Sequence, residues 1–178
     1  MTNKAPMLLP LMLMLAGCAA TGPTNDNAVA AADADGPPTI PLTIKSKGGT
    51  HRFDVEVAMT SEQQAQGLMF RTDLPPYGGM VFPMKPARTA SFWMKNTVIP
   101  LDMLFVRGDG TIAAIAANRK PYTREPSSAG IPVAGVLELR GGRAAELGIA
   151  EGDKIQWGSC AVPNATSAPA LADVRFCP

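Results

Sequence analysis

The stretch from Ile40 to Val57, IPLTIKSKGGTHRFDVEV, decides the fold. Side chains alternate between the two faces of a strand, so Ile40, Leu42 and Ile44 share one side and Phe53, Val55 and Val57 share one side. Between them, Ser46-Lys47-Gly48-Gly49 is a turn, and the whole reads as a β-hairpin. Working outward, Thr60 offers a hydroxyl N-cap with Gln63 three residues on, the pattern of a capping box, and Gly67 stops the short helix that follows. Met80–Pro83 and Ala90–Met94 read as strands. Leu101–Val106 and Thr111–Ala117 flank Arg107-Gly108-Asp109-Gly110, a second hairpin. Residues 118 to 131 hold two prolines and little periodicity, and are expected to form a long loop. Val133–Leu139 is a further strand, Arg143–Leu147 a short helix, and Lys154–Trp157 a closing strand. The expected fold is mainly β (α+β): a small barrel-like domain of about seven short strands and two short helices, since closure removes exposed edges.

Composition permits this and excludes much else. The chain has 178 residues, 46% apolar and 17% charged, enough for one domain of ordinary size. Lys and Arg total 16 against 15 Asp and Glu, so nothing in the balance suits a phosphate backbone, and nucleic acid is not expected as a partner. The chain has one histidine, His51, too few for a His-based metal site or a serine-protease relay. Motifs of the G-x-S-x-G and G-x-x-x-x-G-K-[ST] kinds are absent, and no cofactor is implied.

The N-terminus carries an address. Lys4 precedes the apolar run Met7–Leu15, which is too short for a bilayer that needs about 20 residues. Leu15-Ala16-Gly17-Cys18 resembles the lipobox of bacterial lipoproteins. That resemblance implies a signal peptide over residues 1–17, lipid on Cys18 and a membrane partnership through that anchor, facing the periplasm. With Ala19 next, it also implies the outer membrane. Residues 18–38 are small, polar and proline-containing, and read as a flexible linker spanning ~25 Å. The domain is placed at 39–158 and a tail at 159–178. Cys160 and Cys177 remain as an even pair in an oxidising compartment and are expected to form a disulfide.

Candidate function rests on polar residues set against the apolar pattern. Lys95, Asn96 and Asp102 fall within Ser91–Phe105, Glu138 within Val136-Leu137-Glu138-Leu139, and Arg71 after Gly67-Leu68-Met69-Phe70. Such charges are costly to desolvate unless paired. They read either as internal ion pairs that fix register or as a ligand pocket. In the pocket reading Arg71, Trp93, Lys95, Asn96, Asp102 and Glu138 bind a small polar or glycan-like envelope molecule, with Trp93 as a flat apolar wall. Asp102 and Glu138 could alternatively serve as a catalytic carboxylate pair in a hydrolase acting on envelope glycan. A third alternative is a Cu(I) site from Met69, Met80 and Met94 with Trp93, since soft thioethers suit that ion. The six methionines outside the signal segment otherwise read as core filler.

Gln66-Gly67-Leu68-Met69-Phe70-Arg71, Gly79-Met80-Val81-Phe82, Phe92-Trp93-Met94-Lys95-Asn96-Thr97 through Pro100-Leu101-Asp102, Val136–Leu139 with Gly141-Gly142, and Gly148-Ile149 to Gly152-Asp153 form an ordered set. Together they resemble the bacterial and archaeal family called domain of unknown function 192. The resemblance implies a compact β-rich domain, often secreted or lipid-anchored, and carries no mechanism.

Overall fold

The computed structural model describes residues 37–161, 171 and 173–178. The expected signal segment, Cys18 and most of the expected linker lie outside the described residues. Seven strands and two short helices follow in order: β1 (Thr39–Ser46), β2 (Gly49–Val57), α1 (Ser61–Gln66), β3 (Gly78–Thr89), β4 (Leu101–Val106), β5 (Ile112–Arg119), β6 (Pro132–Arg140), α2 (Arg143–Glu146) and β7 (Lys154–Trp157). They form one mixed sheet in the order β5-β4-β6-β3-β2-β1-β7. Only the β2–β3 pairing is parallel.

The first hairpin forms as expected, its register running from Thr39 opposite Glu56 to Ser46 opposite Gly49. The α1 capping box is complete: the Gln63 amide donates to Thr60 Oγ1 at 3.2 Å and the Thr60 amide to Gln63 Oε1 at 3.0 Å. In the second hairpin the Thr111 amide donates to Asp109 Oδ1 at 2.9 Å, while Gly110 takes φ +77°, which is open to glycine without a side-chain clash. Cys160 and Cys177 form the expected disulfide, with Cα atoms 5.4 Å apart.

The domain is mainly β, with the expected seven strands and two short helices, and it is barrel-like without full closure: the edge strands β5 and β7 meet at one end, through a bridge between Thr111 and Lys154 and hydrogen bonds such as Ile112 N to Asp153 O. One expectation is corrected. Residues 90–94 do not add a strand. β3 runs on to Thr89, and the segment beyond touches the 123–127 loop by a single bridge, Phe92 with Ser127, so it has only a loop beside it and no ladder to join.

The sheet centre is buried on both faces. All six β4 residues are buried, an expected consequence of packing on two sides. On one face Val81, Leu104, Leu137 and Leu139 join Ile40, Leu42, Ile44, Phe53 and Val55 in a core cluster that Trp157 closes. Gly135 makes room for that indole, because a Cβ there would come within 2.8 Å of it. Phe176 stacks on Trp157 with centroids 4.3 Å apart, so the tail completes this core. On the other face Met80, Phe82, Met103, Phe105 and Val136 form a second cluster beneath the segments that carry Ala58, Leu68, Leu74 and Met94. Each fully buried Leu or Phe contributes ~1.5–3 kcal/mol.

Candidate functional site

Register separates the two carboxylates that the sequence places in apolar strands. Asp102 lies opposite Leu139, while Glu138 lies opposite Met103 on β4 and Met80 on β3. Paired residues share a face and neighbours along a strand do not, so Asp102 and Glu138 point to opposite sides of the sheet. Asp102 is fully buried, and its oxygens accept from three backbone amides: Asn118 at 2.6 Å, Gly142 at 2.9 Å and Ala144 at 2.8 Å. It ties β4 to β5 and to the start of α2.

Glu138 has the opposite surroundings. It is 4% exposed, it lines a cavity of about 360 Å³, and among the described residues no hydrogen bond or ion pair engages its carboxyl. Burial alone pushes this carboxyl up to about 8, so it is neutral at pH 7 and able both to donate and to accept. Met80, Met103 and Phe82 of the second cluster supply the apolar surroundings. Gly67, the residue that ends α1, keeps the carboxyl reachable. Its φ is +49°, and a Cβ would sit 3.2 Å from the Phe82 ring and 3.9 Å from Glu138 Oε2. Phe92, edge-on to Phe82 at 4.9 Å, forms another wall, and Trp93 stands on the rim with 55% of its surface exposed. Met69, Thr97 and Arg88 also line the opening.

Of the expected ligand-binding residues, the structure brings Trp93 and Glu138 to this cavity. Arg71 lines a neighbouring cavity of about 430 Å³, where its Nη2 lies 2.6 Å from both oxygens of Glu56. Lys95 and Asn96 occupy the turn after Trp93. Asn96 takes a left-handed φ of 56°, its carbonyl accepts from the Phe70 amide at 2.9 Å, and its Nδ2 lies 3.8 Å from Met69 Sδ. The four groups of the copper alternative are dispersed: Met69 and Trp93 line the Glu138 cavity, Met80 lines the cavity with Arg71, and Met94 is enclosed in the second cluster. Among the described residues no three His, Cys, Asp or Glu side chains gather as a metal site. His51 Nε2 is 3.0 Å from Ser46 Oγ within the first hairpin. Sequence reasoning missed Gly67, Phe82, Phe92 and Arg88 as parts of the site. For Gly67 the helix-stop pattern was visible, but its nearness to Glu138 depends on a contact 71 positions away.

The profile of domain of unknown function 192, described as an uncharacterized ACR, matches residues 42–157. No curated protein matches the chain. A crystal structure of a protein of unknown function from Novosphingobium aromaticivorans DSM 12444 is 47% identical, with a TM-score of 0.67, covering 76% of this chain and all of that one. A second, described as a proposed transcription regulator from Sinorhizobium meliloti 1021, is 38% identical with a TM-score of 0.66, covering 69% of this chain and 97% of that one. With a profile match across most of its length and such relatives, the chain belongs to the domain of unknown function 192 family.

Proposed function

We propose that this protein is a lipid-anchored, periplasm-facing binder of a small glycan-like envelope molecule, held in the cavity over Glu138. One observation carries the reading: a buried carboxyl without a protein partner opens onto a cavity beside a half-exposed tryptophan. A buried polar group left unpaired costs free energy, and a guest that bonds to it recovers that cost. A neutral carboxyl matches a hydroxyl or amide, and an indole face matches the apolar face of a sugar ring. The lipobox-like Leu15–Cys18 supports the anchor. Binding is favoured over hydrolysis because Asp102, the second carboxylate of a catalytic pair, lies on the other face of the sheet and is bonded to three amides.

The test uses chitin oligosaccharides as probes, with indole fluorescence as the readout. Trp93→Phe identifies the signal, because Trp157, the other tryptophan, is buried. Glu138→Gln preserves a neutral donor and acceptor and is expected to keep affinity, whereas Glu138→Leu is expected to lose at least about tenfold. Equal affinity in native and Leu forms would end the proposal, as would slow cleavage of the probe that Glu138→Gln abolishes.

A further inference from the structure

Three loops meet beside the cavity just described, and their backbones are laced together. The Phe70 amide donates to Asn96 O at 2.9 Å, the Tyr122 amide to Thr97 O at 3.2 Å, and the Met94 amide to Thr123 O at 2.9 Å. Met69, Trp93 and Thr97 of these loops line the Glu138 cavity, so the cluster is continuous with its mouth.

Two features of this cluster do not serve the fold. Phe70 and Tyr122 are 67% and 65% exposed, so burial does not explain them. Both also hold left-handed backbone, φ 64° and 61°, which is a rare and unfavourable conformation for a bulky side chain. Glycine or asparagine would fit either position with less strain. An aromatic ring kept in the open on unfavourable backbone is a binding feature that folding alone would not produce.

Charge is segregated in the same place. The loops carry Arg71, Lys95, Lys120 and Arg124, with Arg119 beside them at the end of β5, against Asp73 and Glu125, in a chain whose net charge is +1. Arg71 is paired with Glu56 and Arg119 with Glu125. Among the described residues Lys95, Lys120 and Arg124 enter no ion pair. Lys120 and Arg124 flank Tyr122 and are exposed.

We infer that Phe70, Tyr122, Lys120 and Arg124 form an extended subsite for an anionic glycan strand, one neutral unit of which enters the Glu138 cavity. The inference rests on the cavity reading above and gives its ligand a class: a polymer of sugars bearing carboxylate or similar charge. Exposed rings would stack on successive sugar faces, and the free cations would meet the anionic substituents. An anionic bilayer would offer the same charge. The continuity of the loops with a cavity lined by the buried Glu138 favours a chain that can place one unit inside it.

The experiment compares hyaluronan oligomers, in which N-acetylglucosamine alternates with a uronate, with neutral chitin oligomers of equal length. Calorimetry on the full chain is run at low and at raised salt. The native protein is expected to bind the charged oligomer about tenfold more tightly at low salt, with the advantage shrinking as salt screens it. Lys120→Gln with Arg124→Gln should remove that advantage and leave chitin binding unchanged. Phe70→Asn with Tyr122→Asn, which suits the left-handed backbone, should weaken both ligands. If both oligomers bind alike, or the loop variants bind as the native chain does, the subsite is refuted, while the cavity reading stands provided Glu138→Leu still weakens chitin. If neither oligomer binds the native chain, both readings fall. Sedimentation with phosphatidylglycerol vesicles, abolished by the loop variants in a chain that ignores hyaluronan, overturns the glycan assignment in favour of a membrane surface.

Discussion

Replacing Glu138 by Gln should make the protein more stable at neutral pH, and by an amount that grows with pH. In the unfolded chain this carboxyl ionises near 4.5, whereas in the fold burial holds it protonated up to about 8. Between those two values the folded state binds one more proton than the unfolded state, so raising the pH favours unfolding. The contribution is therefore unchanged below 4.5, declines through the window and levels off above 8. At ~1.4 kcal/mol per pH unit, roughly 2.5 units to pH 7 amount to about 3 kcal/mol, and the full span to about 5 kcal/mol. The amide is nearly isosteric and has no proton to lose. Urea unfolding of both forms at pH 5, 7 and 9, with the disulfide kept oxidised, isolates this group, because all other titrations cancel in the difference. The Gln form is expected to gain from pH 5 to 7, to gain further up to about 8, and then to hold that advantage at pH 9. Curves that run parallel across that range would show that the carboxyl is solvated or paired, and would refute the reasoning behind the cavity.

Asp102→Asn should cost about 3 kcal/mol, since an amide turned toward three N–H donors leaves at least one buried donor unpaired. Denaturant midpoints check this, and binding at the Glu138 cavity in the folded variant should be unaffected. Cys160→Ser with Cys177→Ser should lose ~3 kcal/mol, the closure entropy expected for a sequence separation of 17, read in the same assay. Cys18→Ser should abolish incorporation of labelled palmitate and move the protein from the membrane to the soluble fraction; retention of label would refute the anchor at that residue.

What the sequence made legible was local. The first hairpin, the α1 capping box and the Gly-Asp-Gly turn each depend on residues a few positions apart, and each forms as expected. The disulfide followed from cysteine number. The relation of Asp102 to Glu138 was not legible, because it is set by how β4 lies against β6, two strands distant in the chain. A strand buried on both faces reads as one apolar run, so an embedded charge shows that it is buried without showing which way it faces. Ala90–Met94 failed for a related reason: its alternation is real, but the element that would have paired with it is a loop. The exposed aromatics on left-handed backbone at Phe70 and Tyr122 carried no local signal, since neither residue type marks such a conformation.

β1 finds its second neighbour only in β7, and Trp157 then waits for Phe176, Val174 and Leu171. A domain whose early and late segments must meet has high contact order and gathers its structure slowly. Such a polypeptide can complete its core only once the whole stretch from β1 to Phe176 has been made, so no shorter piece of it holds the finished packing around Trp157.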